Sequence, residues 1–348
     1  MSFHEYGDDF EPMKTTTVSE AAELAWHKLT ARRDGLEKYV ESKFKKMSKA
    51  VKLDYNRIYT ISAASGGGKS VLAKDIVDSI ADEDAYIYMF NGEMLGADNF
   101  LRSVSTHTGL SLSTLESEDE PLSDRDFEQV KDAFSELSSR DNIFMIDEIA
   151  TPDRVVKTMR WLYEFKCRPD GKKMICVLDH ILLTASSREF RNDIEKIEHI
   201  SLELIKLKKD VYEDRGKAMF LILSQENRNS KQEARIKNEN MHFPVTSDIF
   251  GSSTLEMASD AMIAIKIPDK FKIEEYGPGK FPVVVNVNKV EVPMAYMHII
   301  KNRAGKNDIV IPLVNNLEFF SFSEMDKETF DWILNEYQEK GVVNIEYD

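Results

Sequence analysis

Residues 63–70 carry the pattern best suited to chemistry, because they read Ala-Ala-Ser-Gly-Gly-Gly-Lys-Ser. Glycines let backbone N–H groups converge on phosphate oxygens without side-chain clashes. Lys69 can reach the β- and γ-phosphates of ATP, and the Ser70 hydroxyl can bind Mg²⁺. The strict pattern begins with glycine where this chain has Ala63, so the alternative is a glycine-rich turn that happens to precede Lys-Ser. The residues expected to bind the nucleotide are Ser65, Gly66, Gly67, Gly68, Lys69, Ser70 and Val71.

A phosphate-binding loop of this kind needs two acids from neighbouring strand ends. One Asp holds the Mg²⁺ shell and one carboxylate polarises the attacking water. Acids follow three apolar runs, at Glu93, at Asp147 with Glu148, and at Asp179. By spacing alone the Asp147-Glu148 pair is most similar to a magnesium-binding strand end. Each acid could equally be a surface residue where a strand exits the sheet, and composition does not choose among them.

The elements that must position these residues alternate along the chain. Apolar runs at 58–63, 85–90, 143–146, 174–178 and 218–223 are separated by segments with helical spacing at 71–80, 97–108, 124–138, 152–165 and 189–210. Apolar strands that alternate with helices predict a mostly parallel sheet covered on both faces. Strand-like runs at 261–267, 281–287, 295–300 and 308–313 predict antiparallel additions on the C-terminal side. The fold class is therefore expected to be α/β.

The segments on either side of this region are predicted to form smaller helical elements. Residues 17–50 have apolar positions at helical spacing, and Thr17 with Glu20 forms a candidate capping box, which predicts a short helical extension. The last residues are acidic and contain a predicted helix near 327–339. The expected domains are a helical arm at 1–50, a phosphate-binding domain at 51–320 and an acidic tail at 321–348.

Composition excludes several classes of protein. The chain has 348 residues, a formal net charge of −15 and 42% hydrophobic residues, which is enough apolar material for a sizeable core. A net acidic surface does not favour membrane coating, and no apolar run approaches the ~18 residues of a membrane span. Two cysteines cannot build a disulfide scaffold or a four-ligand zinc site. A reducing cytoplasmic location is expected.

Six further motifs follow the phosphate loop in a fixed order. They are Gly92-Glu93-Met94, Ile146-Asp147-Glu148, Leu178-Asp179-His180, Leu-Ser-Gln-Glu-Asn-Arg at 223–228, Ser247-Asp248-Ile249 with Ser259-Asp260-Ala261, and Lys301-Asn302-Arg303-Ala304-Gly305. Together, over roughly residues 50–320, they resemble the C-terminal ATPase domain of the DnaB family of replicative helicases, which has a RecA-like fold. The family usually has Leu before the glutamate of the first motif and Tyr after the aspartate of the third, where this chain has Gly92 and His180.

The resemblance implies a role for each matched residue. Glu93 would polarise the attacking water, and Asp179 would be the Walker B acid that holds Mg²⁺ with Ser70. Gln225 would sense the γ-phosphate and couple it to the DNA-binding loops. Arg303, with Lys301 beside it, would reach the nucleotide of the next subunit, where such a cation can contribute about 10³–10⁵ in rate. The alternative for Lys301 and Arg303 is a solvated basic hairpin tip.

The same resemblance places nucleic acid against two loops, at 184–193 and 227–247. Phosphates bind basic side chains without sequence preference. The basic residues expected to contact nucleic acid are Arg188, Arg191, Arg228, Lys231, Arg235 and Lys237. The alternative is that these are flexible, solvated loops.

The expected function is that of an ATP-dependent replicative DNA helicase, a hexameric motor that translocates on single-stranded DNA. Primase or a loader could be partners, although the family's N-terminal collar domain has no counterpart in these residues. The alternative is a RecA-like ATPase that acts in recombination, loading or packaging without unwinding.

Overall fold

The structure, a computed structural model, describes residues 15–81, 84–181, 190–227, 230, 232–287 and 290–325. It divides into two compact units, Met1–Tyr39 and Val40–Asp348. The division thus falls after Tyr39 and not after residue 50. The helix expected near 327–339 lies outside the described residues.

The first unit contains the helix α1 (Val18–Arg33), which begins at the expected capping box. Thr17 Oγ1 accepts a hydrogen bond from the Glu20 N–H at 3.2 Å, and the Glu20 carboxylate accepts one from the Thr17 N–H at 2.7 Å. The helical prediction over 17–50 was too long. The chain turns at Gly35, where φ is +73°, and a separate helix α2 (Lys45–Val51) follows in the second unit.

The second unit is organised around one large sheet. In chain order the strands are β1 (Arg57–Ala63), β2 (Ala85–Asn91), β3 (Ile143–Ile146), β4 (Lys173–Asp179), β5 (Ala218–Gln225), β6 (Ala261–Lys266), β7 (Glu275–Tyr276), β8 (Phe281–Pro282), β9 (Val284–Val287), β10 (Val290–Asn302), β11 (Ile309–Asn316) and β12 (Ser321–Glu324). The order across the sheet is β12-β11-β10-β6-β1-β5-β4-β2-β3, with β9 paired to β10, while β7 and β8 form a separate hairpin. Strands β1 to β6 pair in parallel, whereas β10 pairs antiparallel with β6, β11 with β10, and β12 with β11. The predicted α/β fold, with antiparallel strands on the C-terminal side, is confirmed, but the run at 261–267, expected among the antiparallel additions, forms β6 and pairs in parallel with β1.

Helices cover this sheet and connect its strands. They are α3 (Lys69–Ser79), α4 (Gly96–Thr108), α5 (Leu112–Leu115), α6 (Asp124–Ser138), α7 (Pro152–Leu162) with a π-helical turn (Tyr163–Cys167), α8 (Asp193–Glu213), α9 (Glu233–Ile236) and α10 (Ser252–Ala258). In the described ranges, none of the helices combines the length and the apolar composition that crossing a membrane would need.

The central strands are buried on both faces, which explains their continuous apolar sequence. In β5, Leu221 belongs to the core on the α3 side, and Phe220 and Ile222 belong to the core on the α8 side. Alternate side chains of a strand point to opposite faces, so each face needs its own helix layer. Cys167 and Cys176 are buried in the α8-side core as free thiols.

One aspartate ties the helix after the phosphate loop to both ends of the domain. Asp75 of α3 is buried, and its carboxylate lies 2.7 Å from Lys43 Nζ. The same carboxylate accepts hydrogen bonds from the Phe322 N–H at 2.7 Å and from Ser321 Oγ at 3.2 Å. Strand β12, expected to begin the separate acidic tail, therefore belongs to the main sheet and supports α3.

A smaller core covers the antiparallel strands and contains a neutral histidine. His298 of β10 is buried, and its Nε2 lies 2.9 Å from the Tyr276 hydroxyl. Burial, reinforced by the charge of Lys266, lowers the pKa of His298 to about 3. A histidine that stays neutral in the folded state and is protonated in the unfolded state makes the fold less stable in acid.

We expect the His298→Gln variant to lose less stability in acid than the wild type. The unfolded histidine takes up a proton near pH 6.5 and the folded one only near pH 3, so the wild type loses stability as the pH falls between these values. The loss is on the order of 1.4 kcal/mol per pH unit, and glutamine does not titrate. Urea unfolding between about pH 7 and pH 4 measures the slope, with the surface variant His107→Gln as control. Parallel slopes for His298→Gln and the wild type would contradict the assignment.

Candidate nucleotide-binding site

The candidate phosphate loop connects the end of β1 to the start of α3, as the sequence predicts. Gly68 caps α3 with φ of +85°, a conformation that side chains disfavour. A Cβ on Gly68 would lie 2.5 Å from Cζ of Phe322, and one on Gly67 would lie 2.8 Å from the Ala64 carbonyl oxygen. The backbone is therefore packed too closely for side chains, and the first N–H groups of α3 are left for an anion.

Lys69, the first residue of α3, lies between two of the three candidate acids. Its Nζ is 3.0 Å from Glu93 Oε2 and 3.4 Å from Asp179 Oδ1. Lys69 and Asp179 are largely buried, whereas half of the Glu93 side chain is exposed. The three charges meet because β4 ends at the same edge of the sheet as β1 and the loop after β2 follows that edge.

The electrostatics of this cluster set the protonation of Glu93 and His180. Burial would raise the pKa of Glu93, but the hydrogen bond and the charge of Lys69 lower it below its usual value. Burial, and then the charge of Lys69, lowers the pKa of His180, whose Nε2 is 3.9 Å from Glu93 Oε2. At neutral pH the cluster therefore presents an ionised carboxylate beside a neutral imidazole.

Gln225 lies at the same edge, at the end of β5. It pairs in register with Ala63, and the next residue, Glu226, donates its N–H to the Ala63 carbonyl oxygen at 3.0 Å. The Gln225 side chain is half-buried. The parallel strands bring it next to the base of the phosphate loop, as the sequence predicts.

Asp147 and Glu148 have partners other than Lys69 among the contacts described. Strand β3 is at the edge of the sheet, and Asp147 accepts hydrogen bonds from Asn91 Nδ2 at 3.0 Å and from the Gly96 N–H at 2.7 Å, where α4 begins. Glu148 is exposed and pairs with Arg154. The spacing that made Asp147-Glu148 look like a magnesium-binding pair was misleading, because Asp147 serves the N-terminus of α4.

Two cations near the loop were missed by the sequence reasoning. Lys270, in the 3-10 turn Pro268–Phe271 after β6, donates to the Gly66 carbonyl oxygen, and burial lowers its pKa. Arg102 of α4 stacks on the Phe320 ring, with its Cζ 4.6 Å from the centroid, and Glu93 and Asp179 are among the charges that act on it. The signal that could have found Lys270 was its place directly after the strand-like run at 261–267.

A cavity of about 280 Å³ opens beside the loop on the β6 side. Its lining comprises Ala64, Ser65, Gly67, Ile265, Ile267, Lys270 and Phe271. Across the residues that the structure covers, no three His, Cys, Asp or Glu side chains converge to form a metal site on their own. A Mg²⁺ ion at Ser70 and Asp179 would therefore share its coordination with phosphate oxygens and water, as Mg²⁺ commonly does.

Lys301 and Arg303 lie at the opposite end of the sheet from the phosphate loop. Asn302 pairs with Ala261 at the amino end of β6, whereas Ala63 pairs with Ile265, about 13 Å further along the strand. Lys301 Nζ donates to the Glu256 carbonyl oxygen, and Arg303 donates to that of Met257 at 2.6 Å, so both cap the last turn of α10. Half of the Arg303 side chain is exposed, and neither residue can reach the phosphate loop of its own chain.

The residues predicted to contact nucleic acid differ in whether the structure describes them and in how exposed they are. Arg188, Arg228 and Lys231 lie outside the described residues. Arg191 and Lys237 are exposed, and Lys237 pairs only with Glu233 on its own short helix among the contacts described.

Arg235, also predicted to contact nucleic acid, binds groups of its own loop. Its guanidinium is largely buried and holds Asp248, while it donates to the carbonyl oxygens of Met241 at 3.0 Å and of Phe243 at 3.1 Å. These bonds fold the loop between β5 and α10 back on itself. The charge pattern could not reveal this, because a basic residue that binds its own loop looks the same in sequence as one that binds phosphate.

Comparisons with known proteins agree with this geometry. A family model described as DnaB-like helicase C terminal domain matches residues 40–324. Two curated proteins named Replicative DNA helicase DnaB, from two strains of Helicobacter pylori, are 25% and 26% identical over 204 residues. That stretch is 58% of this chain and 38% of each relative, so the match spans well under half of their length.

Solved structures share the fold at low sequence identity. An ATPase domain superposes with a TM-score of 0.71 at 18% identity, over 90% of this chain and 100% of the other. A DnaB-like replicative helicase, described together with its interactions with primase, gives 0.70 at 18% identity, over 90% of this chain and 68% of the other. The predicted RecA-like fold is confirmed.

We expect Gly68→Ala to destabilise the protein more than Gly109→Ala. Both glycines have positive φ, +85° and +69°, but a Cβ has open space at Gly109 and overlaps Phe322 at Gly68. The conformation alone costs about 1–2 kcal/mol in both variants, and the overlap adds about 1–3 kcal/mol at Gly68. Urea unfolding measures the difference, and equal losses would show that Phe322 does not confine the loop.

Proposed function

Because the chain belongs to the DnaB-like helicase C-terminal domain family, we propose that it is a cytoplasmic ATPase that moves along single-stranded DNA and unwinds duplex DNA in replication. The observation that supports this most directly is the position of Lys69, at the mouth of a glycine cradle and within 3.4 Å of both Glu93 and Asp179. A lysine beside a phosphate cradle, a strand-end Asp and an ionised carboxylate are the groups that ATP hydrolysis requires.

The chain's own residues divide the chemistry among them. The N–H groups at the start of α3 and the Lys69 ammonium hold the phosphates and neutralise their charge. When the phosphates engage Lys69, its ion pair with Glu93 is replaced. Glu93, ionised and half-exposed, then orients a water and accepts its proton as the water oxygen bonds to the γ-phosphorus and the bond to ADP breaks. His180 stays neutral and leaves the negative charge of Glu93 in place.

Ser70 and Asp179 are the residues that would hold Mg²⁺. When bound, the ion would neutralise part of the negative charge of the phosphates. Asp179 is suited to this because it is largely buried at a strand end and its negative charge already faces a cation, Lys69.

Arg303 and Lys301 suit a site shared between subunits. They lie at the end of the sheet away from the phosphate loop and are half-exposed and part-buried, respectively. A ring in which this end of one chain faces the loop of the next would bring both cations to the transferred phosphate, and a hexamer is the assembly we propose. Hydrolysis would then depend on assembly.

DNA would bind the loops after β4 and β5 through Arg191 and Lys237, together with Arg188, Arg228 and Lys231. These loops leave the strands that carry Asp179 and Gln225, so movement at the nucleotide can reach the DNA. Primase is a candidate partner by analogy with the solved relative.

We expect Lys69→Ala and Glu93→Gln to abolish ATPase activity stimulated by single-stranded DNA. Each removes a group that acts on the phosphates or on the water, and losses of about 10²–10⁴-fold are typical for such groups. A coupled phosphate-release assay with Mg²⁺ and oligo-dT measures the rate. Lys131→Ala, which removes an exposed lysine of α6, should keep wild-type activity. If the wild type hydrolyses ATP no faster than Lys69→Ala, the protein is not an ATPase of this kind.

We expect activity to return when Lys69→Ala and Arg303→Ala proteins are mixed. Each variant alone has no intact site, but a mixed assembly joins the intact loop of one chain to the intact Arg303 of the other. Random assembly would make about a quarter of the interfaces intact. As control, Arg303→Ala mixed with the Lys69→Ala/Arg303→Ala double variant has none. If the first mixture stays as inactive as the control, Arg303 does not act across an interface.

Imaging and strand displacement separate the proposed motor from an ATPase that acts in recombination, loading or packaging. Hexameric rings with ATP-dependent displacement of a DNA strand support the motor. Filaments on DNA, or hydrolysis without displacement, would favour the second class.

A further inference from the structure

Glu226 lies at the sheet edge beside the candidate nucleotide-binding site, where the loop at 227–250 begins. It follows Gln225, and its N–H extends the ladder by one bond, to the Ala63 carbonyl oxygen at 3.0 Å. The loop returns to the same point, because Glu226 pairs with Ile249 and the Phe250 N–H donates to the Gln225 carbonyl oxygen at 3.0 Å. Both ends of the loop are thus attached to the residue pair 225–226.

The Glu226 side chain points into the protein and forms a buried ion pair. Its carboxylate is fully buried, and Oε2 lies 2.7 Å from Nζ of Lys266, the last residue of β6. The other oxygen, Oε1, has no hydrogen-bond partner among the residues described. Lys266 is also buried, and its charge contributes to keeping His298 neutral nearby.

Stability alone does not account for this pair. A buried ion pair is often no more stabilising than two apolar residues of the same size, because both charges lose their hydration. A leucine at 226 would fill the space without that penalty. The pair adds a fixed position, because the charges and the hydrogen bond hold the Glu226 carboxylate at one point on β6. That point is close to the turn in which Lys270 contacts Gly66.

We propose that the Glu226–Lys266 ion pair positions Gln225 and couples the nucleotide site to the loop at 227–250, so that DNA on the loop accelerates hydrolysis. The inference rests on the proposed function and adds to it a pair of positioning residues that do not touch the substrate. β1, β5 and β6 end side by side, and the pair holds the Glu226 side chain at a fixed point on β6. A shift of Gln225 toward the phosphate is then passed through the backbone pairing at Ile249 and Phe250 to the base of the loop.

The test replaces both charges at once with Glu226→Leu/Lys266→Leu, which leaves no unpaired buried charge. Stability should be unchanged or raised, and ATPase activity without DNA should stay within about twofold of wild type. Stimulation by oligo-dT should fall by at least about fivefold, the lower end of typical coupling between sites. The control Glu275→Leu/Lys280→Leu removes an exposed ion pair of the β7–β8 hairpin and should keep full stimulation.

Stimulation by oligo-dT at the wild-type level in the double leucine variant would overturn the inference. Loss of the DNA-independent ATPase rate together with stimulation would also overturn it, because the pair would then only maintain the structure of the site. Absence of stimulation in the wild type would instead overturn the proposed function. A second measurement needs no variant: hydrogen exchange of peptides within 232–250, with and without a non-hydrolysable ATP analogue. We expect the analogue to change exchange in the wild type, and no change there would overturn the inference by itself.

Discussion

The carboxyl end of β1 is the point on which the candidate site depends. This strand is buried on both faces and pairs in parallel on both sides, with β5 and with β6. Parallel neighbours finish at the same edge of a sheet. Residues far apart in sequence therefore meet there: Lys69 contacts Asp179, 110 positions away, and Lys270 contacts Gly66, 204 positions away. The constraint is geometric, and the chemistry of the edge follows from it.

Local patterns in the sequence predicted most of the fold and the core of the candidate site. Continuous apolar runs identified the parallel strands, and the glycine-rich turn before Lys69 identified the cradle. The choice between Asp147 and Asp179 depends on strand order, because β4 lies two places from β1 and β3 lies at the far edge. Nothing local to either aspartate encodes that order, and only the resemblance selected Asp179.

Side-chain direction was the other quantity that the sequence could not supply. Arg235 looked like a phosphate ligand in a basic loop, but its donors hold Asp248 and two carbonyl oxygens of that loop. Lys266, in the strand-like run at 261–267, is buried against Glu226. In a chain with a net charge of −15, basic side chains find acids within the fold, so charge counts along a loop overstate the positive surface.

The anchoring of Asp75 has a consequence for the order in which the protein matures during synthesis. The helix that begins with Lys69 is synthesised before β12. Its buried Asp75 carboxylate can accept its hydrogen bond only once the backbone of Phe322, 247 residues later, has been made. The close packing at Gly68 needs the ring of that same residue. While β12 has not yet left the ribosome, the glycine-rich loop lacks the Phe322 ring that packs against it. The glycine-rich loop should therefore be fully packed only after β12 has joined the sheet.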